Sequence, residues 1–248
     1  MGNKEYLITD MLQKYQGSPD LNDLWQTFHH DLSEYGVTSI YYGWTHSLNL
    51  VEEVGIADAV WHMTSHSKEY NDHFGERFTI NNDLSAIHCM SKIDPFIWHN
   101  RQQWGEPTEQ QLKFMLDSFQ FNMGVGVSLP VRFNQFGVGG IGLNFADSTE
   151  KEFNKIWASY RDEISTIGFV YDELARGNHM QEICPLSPRE IEVLTWLTLG
   201  KNIKMIAHKI GNSTSTVDKQ IRSARRKLNA RNNEQAVVKA LILGLIEP

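Results

Sequence analysis

The cations near the C-terminal end of this chain are sorted onto one side of a helix. In STSTVDKQIRSARRKL (213–228), Val217, Ile221, Ala224 and Leu228 recur at helical spacing and must face a core. That leaves Ser215, Lys219, Arg222 and Arg226 on the opposite side, flanked by Thr214, Asp218, Gln220 and Arg225. Such a face suits the major groove of DNA, which admits one helix. Thr214, Ser215, Thr216, Lys219 and Gln220 come early enough to reach base edges, and Arg222 and Arg226 can neutralise phosphates.

The charge balance agrees. The chain has 248 residues and a net charge of −7, yet divided at Cys184 it carries 12 Lys and Arg against 25 Asp and Glu before that point and 11 against 5 after it. A positive field over a small module attracts a polyanion, while an acidic body resists non-specific adhesion. The elements that must position the cationic face are also legible. LSPREIEVLTWLTLG (186–200) opens with a capping box of Ser187 and Glu190, has Pro188 where a missing N–H costs nothing, and stops at Gly200. Ile203, Ile206, Ala207 and Ile210 mark a second short helix, Gly211–Ser213 a tight turn, and Ser213 the cap of the third helix, so the segment reads as a helix-turn-helix. A last helix over about 233–243 shows Ala236, Val237, Ala240 and Leu241 on one side.

LSPRE, VL, W and GK within 186–201, IA (206–207), TV (216–217), RRKL (225–228) and AV…A…GLI (236–246) resemble the four-helix DNA-binding domain of LuxR-type transcription factors. The resemblance implies contact with double-stranded DNA through Thr214, Ser215, Thr216, Lys219, Gln220, Arg222, Arg226 and the Lys201 of GK, and pairing of two chains through the last helix. Gln220 stands where the family usually has His, and Asn233 where Arg is usual.

The preceding residues predict helices over roughly 3–16 and 19–35 and a strand in GVTSIYYGWTHS (36–47). Segment 66–77 is helical in composition, 84–103 is ambiguous, and 108–120 reads as a helix capped by Thr108. Strands follow at 124–133 and 138–146 around the turn NQFG, then a long helix over about 149–175 that Gly177 and Asn178 should stop. The expected fold is α+β: an α/β/α sandwich around an antiparallel sheet, followed by the all-α helix-turn-helix domain. The expected division is 1–175, a polar linker over 176–185, and 186–248.

FNMGVGVSLPV (121–131) with GGIGLNFA (139–146) is similar to the central strands of the acyl-homoserine-lactone-binding domains that precede such DNA-binding domains, and GVTSIYYGW, which includes Tyr42, resembles their first strand. By that resemblance Asp94, in the pair Asp94-Pro95, accepts from a ligand amide. Tyr70 and Phe74 take the places of two aromatic donors four residues apart, although Phe74 has no donor to offer. Trp98 and Trp104 compete for the Trp that covers the ligand ring. The family places about nine residues between the second aromatic and its Asp-Pro pair, whereas 19 (75–93) lie between Phe74 and Asp94, which reads as an insertion beside the pocket.

The implied activity is ligand-responsive transcription control by a homodimer. Its signal would be an acyl-homoserine lactone or related amphiphile. The alternative is a regulator of the same architecture that answers to a non-lactone metabolite or to none. No catalytic role, cofactor or metal is expected: no Gly-rich phosphate loop or nucleophile elbow occurs, and His66, His73 and His88 lack metal-ligand spacing. The longest apolar stretch, ALILGLI (240–246), is too short to cross a bilayer, and Cys89 and Cys184 match no redox motif, so a cytoplasmic protein without membrane contact is expected.

Overall fold

A computed structural model of the chain describes residues 8–45, 61–75, 80–133 and 137–247. It divides into two compact units, Met1–Glu173 and Leu174–Pro248.

In the first unit, helices α1 (Ile8–Gln16) and α2 (Leu21–Ser33) precede strands β1 (Ser39–Thr45) and β2 (Trp61–Thr64). Helices α3 (Lys68–Gly75) and α4 (Leu84–Ser91), the short strand β3 (Phe96–Ile97) and helix α5 (Glu109–Phe119) follow. Strands β4 (Gly126–Phe133) and β5 (Gly137–Asn144) and the long helix α6 (Glu150–Asn178) complete it. The five strands run in the order β2-β1-β5-β4-β3, and every neighbouring pair is antiparallel. The two-residue β3 and four-residue β2 carry too little alternation to be read as strands; pairing with β4 and β1 makes them so. Conversely, α5 begins where its residues predict, with Thr108 accepting from the Gln111 backbone and Gln111 returning the bond. The NQF of the expected turn, residues 134–136, lies outside the described residues.

Strand alternation sends successive side chains to opposite faces of the sheet. Ile40, Tyr42, Leu129, Ile141 and Leu143 are fully buried. Ile141 and Leu129 pack on α6 at Gly168, where a Cβ would lie 3.1 and 3.2 Å from them. Trp25 and Phe28 of α2 join the same layer through Tyr171 of α6, the Phe28 and Tyr171 rings stacked at 4.0 Å. The other face is covered by α4 and made of small residues: a Cβ on Gly140 would sit 2.9 Å from Cys89 Sγ, and one on Gly126 would sit 2.5 Å from the Trp98 ring.

In the second unit, α6 runs on through Gly177 to Asn178, past its expected end at 175, and the short α7 (Met180–Ile183) occupies part of the segment expected to be a polar linker. Then come α8 (Pro188–Thr198), α9 (Ile203–Lys209), α10 (Thr214–Lys227) and α11 (Asn233–Ile242). Ser187 and Glu190 form the predicted capping box, and the turn between α9 and α10 is made at Gly211, φ +67°. No helix among the described residues is long and apolar enough to cross a membrane.

Candidate functional site

On the small-residue face of the sheet one carboxylate is set among aromatic rings, and it is Asp83. Its Oδ1 caps α4, accepting from the backbone of Ser85 at 2.8 Å and Ala86 at 3.3 Å and from the Ser85 hydroxyl at 2.7 Å. Its Oδ2 receives no hydrogen bond among the described residues. Burial raises the Asp83 pKa, against those three hydrogen bonds, which lower it. The Asp83 charge in turn adds to burial in pushing up the pKa values of Tyr41, Tyr70 and Cys89, so these groups surround it.

An apolar wall adjoins this carboxylate. Leu84, Phe96, Trp98, Trp104, Met115 and Met123 are buried together, with Tyr70 and Phe121 packed against them. Phe74 is 4.6 Å from Tyr70 and 5.2 Å from Phe114, ring to ring. Both indole N–H groups are already used: Trp98 Nε1 donates to Ser128 Oγ at 2.8 Å and Trp104 Nε1 to the Trp98 carbonyl at 2.9 Å. Neither indole therefore has a spare N–H donor.

Two residues expected in the pocket lie elsewhere. Asp94 sits past the far end of α4 with its side chain 61% exposed; its backbone carbonyl accepts from His88 Nε2 at 2.7 Å, and its carboxylate is 3.6 Å from the same nitrogen. It is a loop residue held by a histidine. Tyr42 faces the α6 side, fully buried, and donates to Asp172 Oδ1 at 2.8 Å. Its neighbour Tyr41 is on the opposite, small-residue face, because adjacent strand residues point in opposite directions. The signal that could have found Asp83 is spacing: eight residues, 75–82, separate it from Phe74, close to the family's usual interval, whereas Asp94 requires an insertion. Tyr70, Phe74, Trp98 and Trp104 are brought together; Asp94 and Tyr42 are not.

In the second unit, Val217, Ile221, Ala224 and Leu228 are buried, and Thr214, Ser215, Lys219, Arg222 and Arg226 are exposed. The Arg222 guanidinium meets Asp218 at 2.6 Å, while no ion pair to Lys219 or Arg226 occurs among the described residues. Ser213 Oγ accepts from the Thr216 backbone at 3.1 Å and lies 2.8 Å from its hydroxyl, so Thr216 is engaged at the cap. Gln220 is half-buried, its carbonyl oxygen enclosed without a hydrogen-bond partner among the described residues. Lys201 is off the α10 face; with Trp196, Lys204, Met205, His208 and Lys209 it lines a cleft of about 460 Å³.

Two lysines anchor α10, and of these Lys239 is buried. Lys227 Nζ donates to Glu190 Oε2 and to the Pro185 carbonyl, both at 2.8 Å, and Lys239 Nζ of α11 donates to the carbonyls of Leu228 at 3.0 Å and Asn229 at 2.5 Å. A cation at a helix C-terminus satisfies carbonyls that have no intrahelical partner. Burial opposes the Glu190 charge, but hydrogen bonds from Lys227, Ser187 and Ser223 outweigh it and hold the carboxyl at about 2.

The two units match two known families over most of the chain. Residues 20–173 match the autoinducer binding domain, and residues 184–240 the family described as bacterial regulatory proteins, luxR family. This chain belongs to the LuxR family of regulators. It is 25% identical over 247 residues to the transcriptional activator protein AnoR of Acinetobacter nosocomialis, covering 96% of this chain and 98% of that one. It is 44% identical over 174 residues to the quorum-sensing-dependent regulator RpaR of Rhodopseudomonas palustris, covering 67% and 69%. A crystal structure of Escherichia coli SdiA and a structure of SdiA in complex with octanoyl-rac-glycerol share the fold, with TM-scores of 0.53 and 0.57, at 16% and 17% identity and covering at least 97% of each chain. The LuxR-family chain described here is thus a ligand-responsive transcription regulator, with a small-molecule domain followed by a DNA-binding domain.

Proposed function

We propose that the signal is an acyl-homoserine lactone or a closely related amphiphile, bound between the small-residue face of the sheet and helices α3 to α5, and that the regulator acts on operator DNA as a homodimer in the cytoplasm. The observation that carries the ligand reading is Asp83: a desolvated carboxylate with Oδ1 saturated by a helix terminus and Oδ2 unused, beside Tyr41 and Tyr70. Such a group calls for a donor, and a ligand amide N–H supplies one without adding charge. The adjoining wall of Phe74, Trp98, Trp104 and Met115 suits an apolar chain.

A second reading has its own support. Phe74 cannot donate, so an ester or glycerol headgroup is compatible with the same wall, and octanoyl-rac-glycerol is what the SdiA complex contains. Mass spectrometry of small molecules extracted from the purified protein, followed by titration with N-octanoyl homoserine lactone and octanoyl glycerol, separates the two. Binding of glycerol ester alone would overturn the lactone assignment, and binding of neither would overturn both. On the DNA side, exposed Ser215, Lys219 and Arg226 with a cap at Ser213 support insertion of α10 into the major groove. One such module buries too little surface to be selective, which favours two on a dyad site.

A further inference from the structure

The last helix, α11, carries a lysine on its inward side. Ala236 and Ala240 are fully buried and Lys239 is 4% exposed, while Val238 is 52% exposed on the other side. Two alanines give the inward face little to pack with, so the apolar stem of Lys239 fills the space between them. Its ammonium is met by carbonyls, those of Leu228 at 3.0 Å and Asn229 at 2.5 Å. An apolar side chain would fill the same volume without the cost of desolvating a charge, so packing does not by itself account for a lysine here.

Those two carbonyls lie at the end of α10. Asn229 turns the chain at φ +45°, and the N–H groups of Asn229 and Ala230 return to the carbonyls of Arg226 at 3.1 Å and Arg225 at 2.8 Å, which closes the helix in a Schellman motif. Lys239 takes the next two carbonyls and places a positive charge where the helix dipole favours one. The turn has ties of its own: the Arg225 guanidinium donates to the Arg231 carbonyl, and the Arg231 N–H donates to Gln235 Oε1 at 2.6 Å. These fix where α11 begins. Lys239 lies about 9 Å further along the axis from Asn233, at 1.5 Å per residue, and so fixes the direction of the helix as well.

The angle at this corner has a long lever. The 14 residues of α10 extend over about 20 Å. Turning such a rod by about 10° at its C-terminal end carries the other end, which holds Thr214 and Ser215, through about 3.5 Å, the length of one base-pair step. We propose that Lys239 is a positioning residue for operator recognition, its ammonium fixing the angle between α11 and α10 and thereby the half-site spacing that the dimer accepts. This rests on the reading that two chains pair through α11 and insert α10 into the major groove.

The test is selection of binding sites by the full-length protein from a pool of duplexes randomised over about 30 base pairs, room for two half-sites a helical turn or two apart. Wild type should select paired half-sites at one spacing, and duplexes one base pair longer or shorter should bind about tenfold or more weakly. Lys239→Met should select the same half-site sequence with the preference among spacings reduced to about threefold or less, and Lys239→Arg, which keeps a cationic donor, should restore the single spacing. Lys239→Leu repeats the measurement with another apolar shape, and circular dichroism shows which variants are folded. A purely structural role would weaken all duplexes alike and leave the single spacing. That outcome, failure of Lys239→Arg to restore the preference, or unfolding of both apolar variants overturns the assignment while leaving the dimer reading intact. Selection of unpaired half-sites by wild type overturns both.

Discussion

Replacing Asp83 by Asn separates the cap function of this side chain from its proposed ligand function. The cap is provided by Oδ1, which holds the first N–H groups of α4. Asn caps almost as well as Asp, so the folding cost is a few tenths of a kcal/mol, and loss of a desolvated charge offsets part of it. The ligand term is larger. A hydrogen bond to a charged acceptor contributes about 1.5–3 kcal/mol, so its replacement by an amide should weaken lactone binding roughly tenfold to 150-fold. Asp94→Asn is the matched control: that carboxylate is 61% exposed and attached to a loop, so ligand affinity should stay within about threefold. Fluorescence titration of both variants with N-octanoyl homoserine lactone, beside their thermal midpoints, gives the comparison. The pH dependence has a definite sign as well. Burial raises the Asp83 pKa, so as pH falls through it the acceptor becomes protonated and lactone affinity declines, while the desolvation cost to folding is relieved. Wild-type affinity in Asp83→Asn, or an equal loss in Asp94→Asn, would refute the placement of the acceptor at the head of α4.

On DNA, Arg226→Ala should lower the slope of log affinity against log salt by about 0.9, whereas Arg222→Ala should lower it less, because Asp218 already holds that guanidinium at 2.6 Å; equal slopes would show that the ion pair opens on binding. Leu241→Asp should weaken operator binding by removing the apolar side of α11, and sedimentation should show loss of dimer; an unaltered dimer places the seam elsewhere. Glu190 is held at about 2 against 4.5 unfolded, so its stabilisation of roughly 3 kcal/mol is complete above pH 4.5 and disappears as pH falls toward 2; Glu190→Gln should flatten acid unfolding followed by tryptophan fluorescence over that window. Lys239→Met should cost about 2–4 kcal/mol by leaving the carbonyls of Leu228 and Asn229 without their donor, and chemical denaturation showing under 1 kcal/mol would mean that water replaces the ammonium.

Much of this protein is written in local chemistry. The α10 stripe of Val217, Ile221, Ala224 and Leu228 is legible because helical period, Ser213 cap and Gly211 turn all agree, and each depends only on near neighbours. Thr108 and Ser187 announce their helices for the same reason, since a capping box spans only four residues. The proposed ligand site is otherwise, because its members meet through the sheet. Whether Tyr41 or Tyr42 faces the pocket depends on a one-residue register, and both are tyrosines; the pairings of β1 with β5 and β2 decide it. Asp94 precedes a proline and so stands out in the chain, while Asp83 is followed by Leu84 and becomes informative only when the fold brings its carboxylate near Tyr41 and Tyr70. Residue type and period determine which helices form and which module meets DNA; sheet register determines which side chains share a pocket, because a hydrogen bond across strands joins residues that the chain itself keeps far apart.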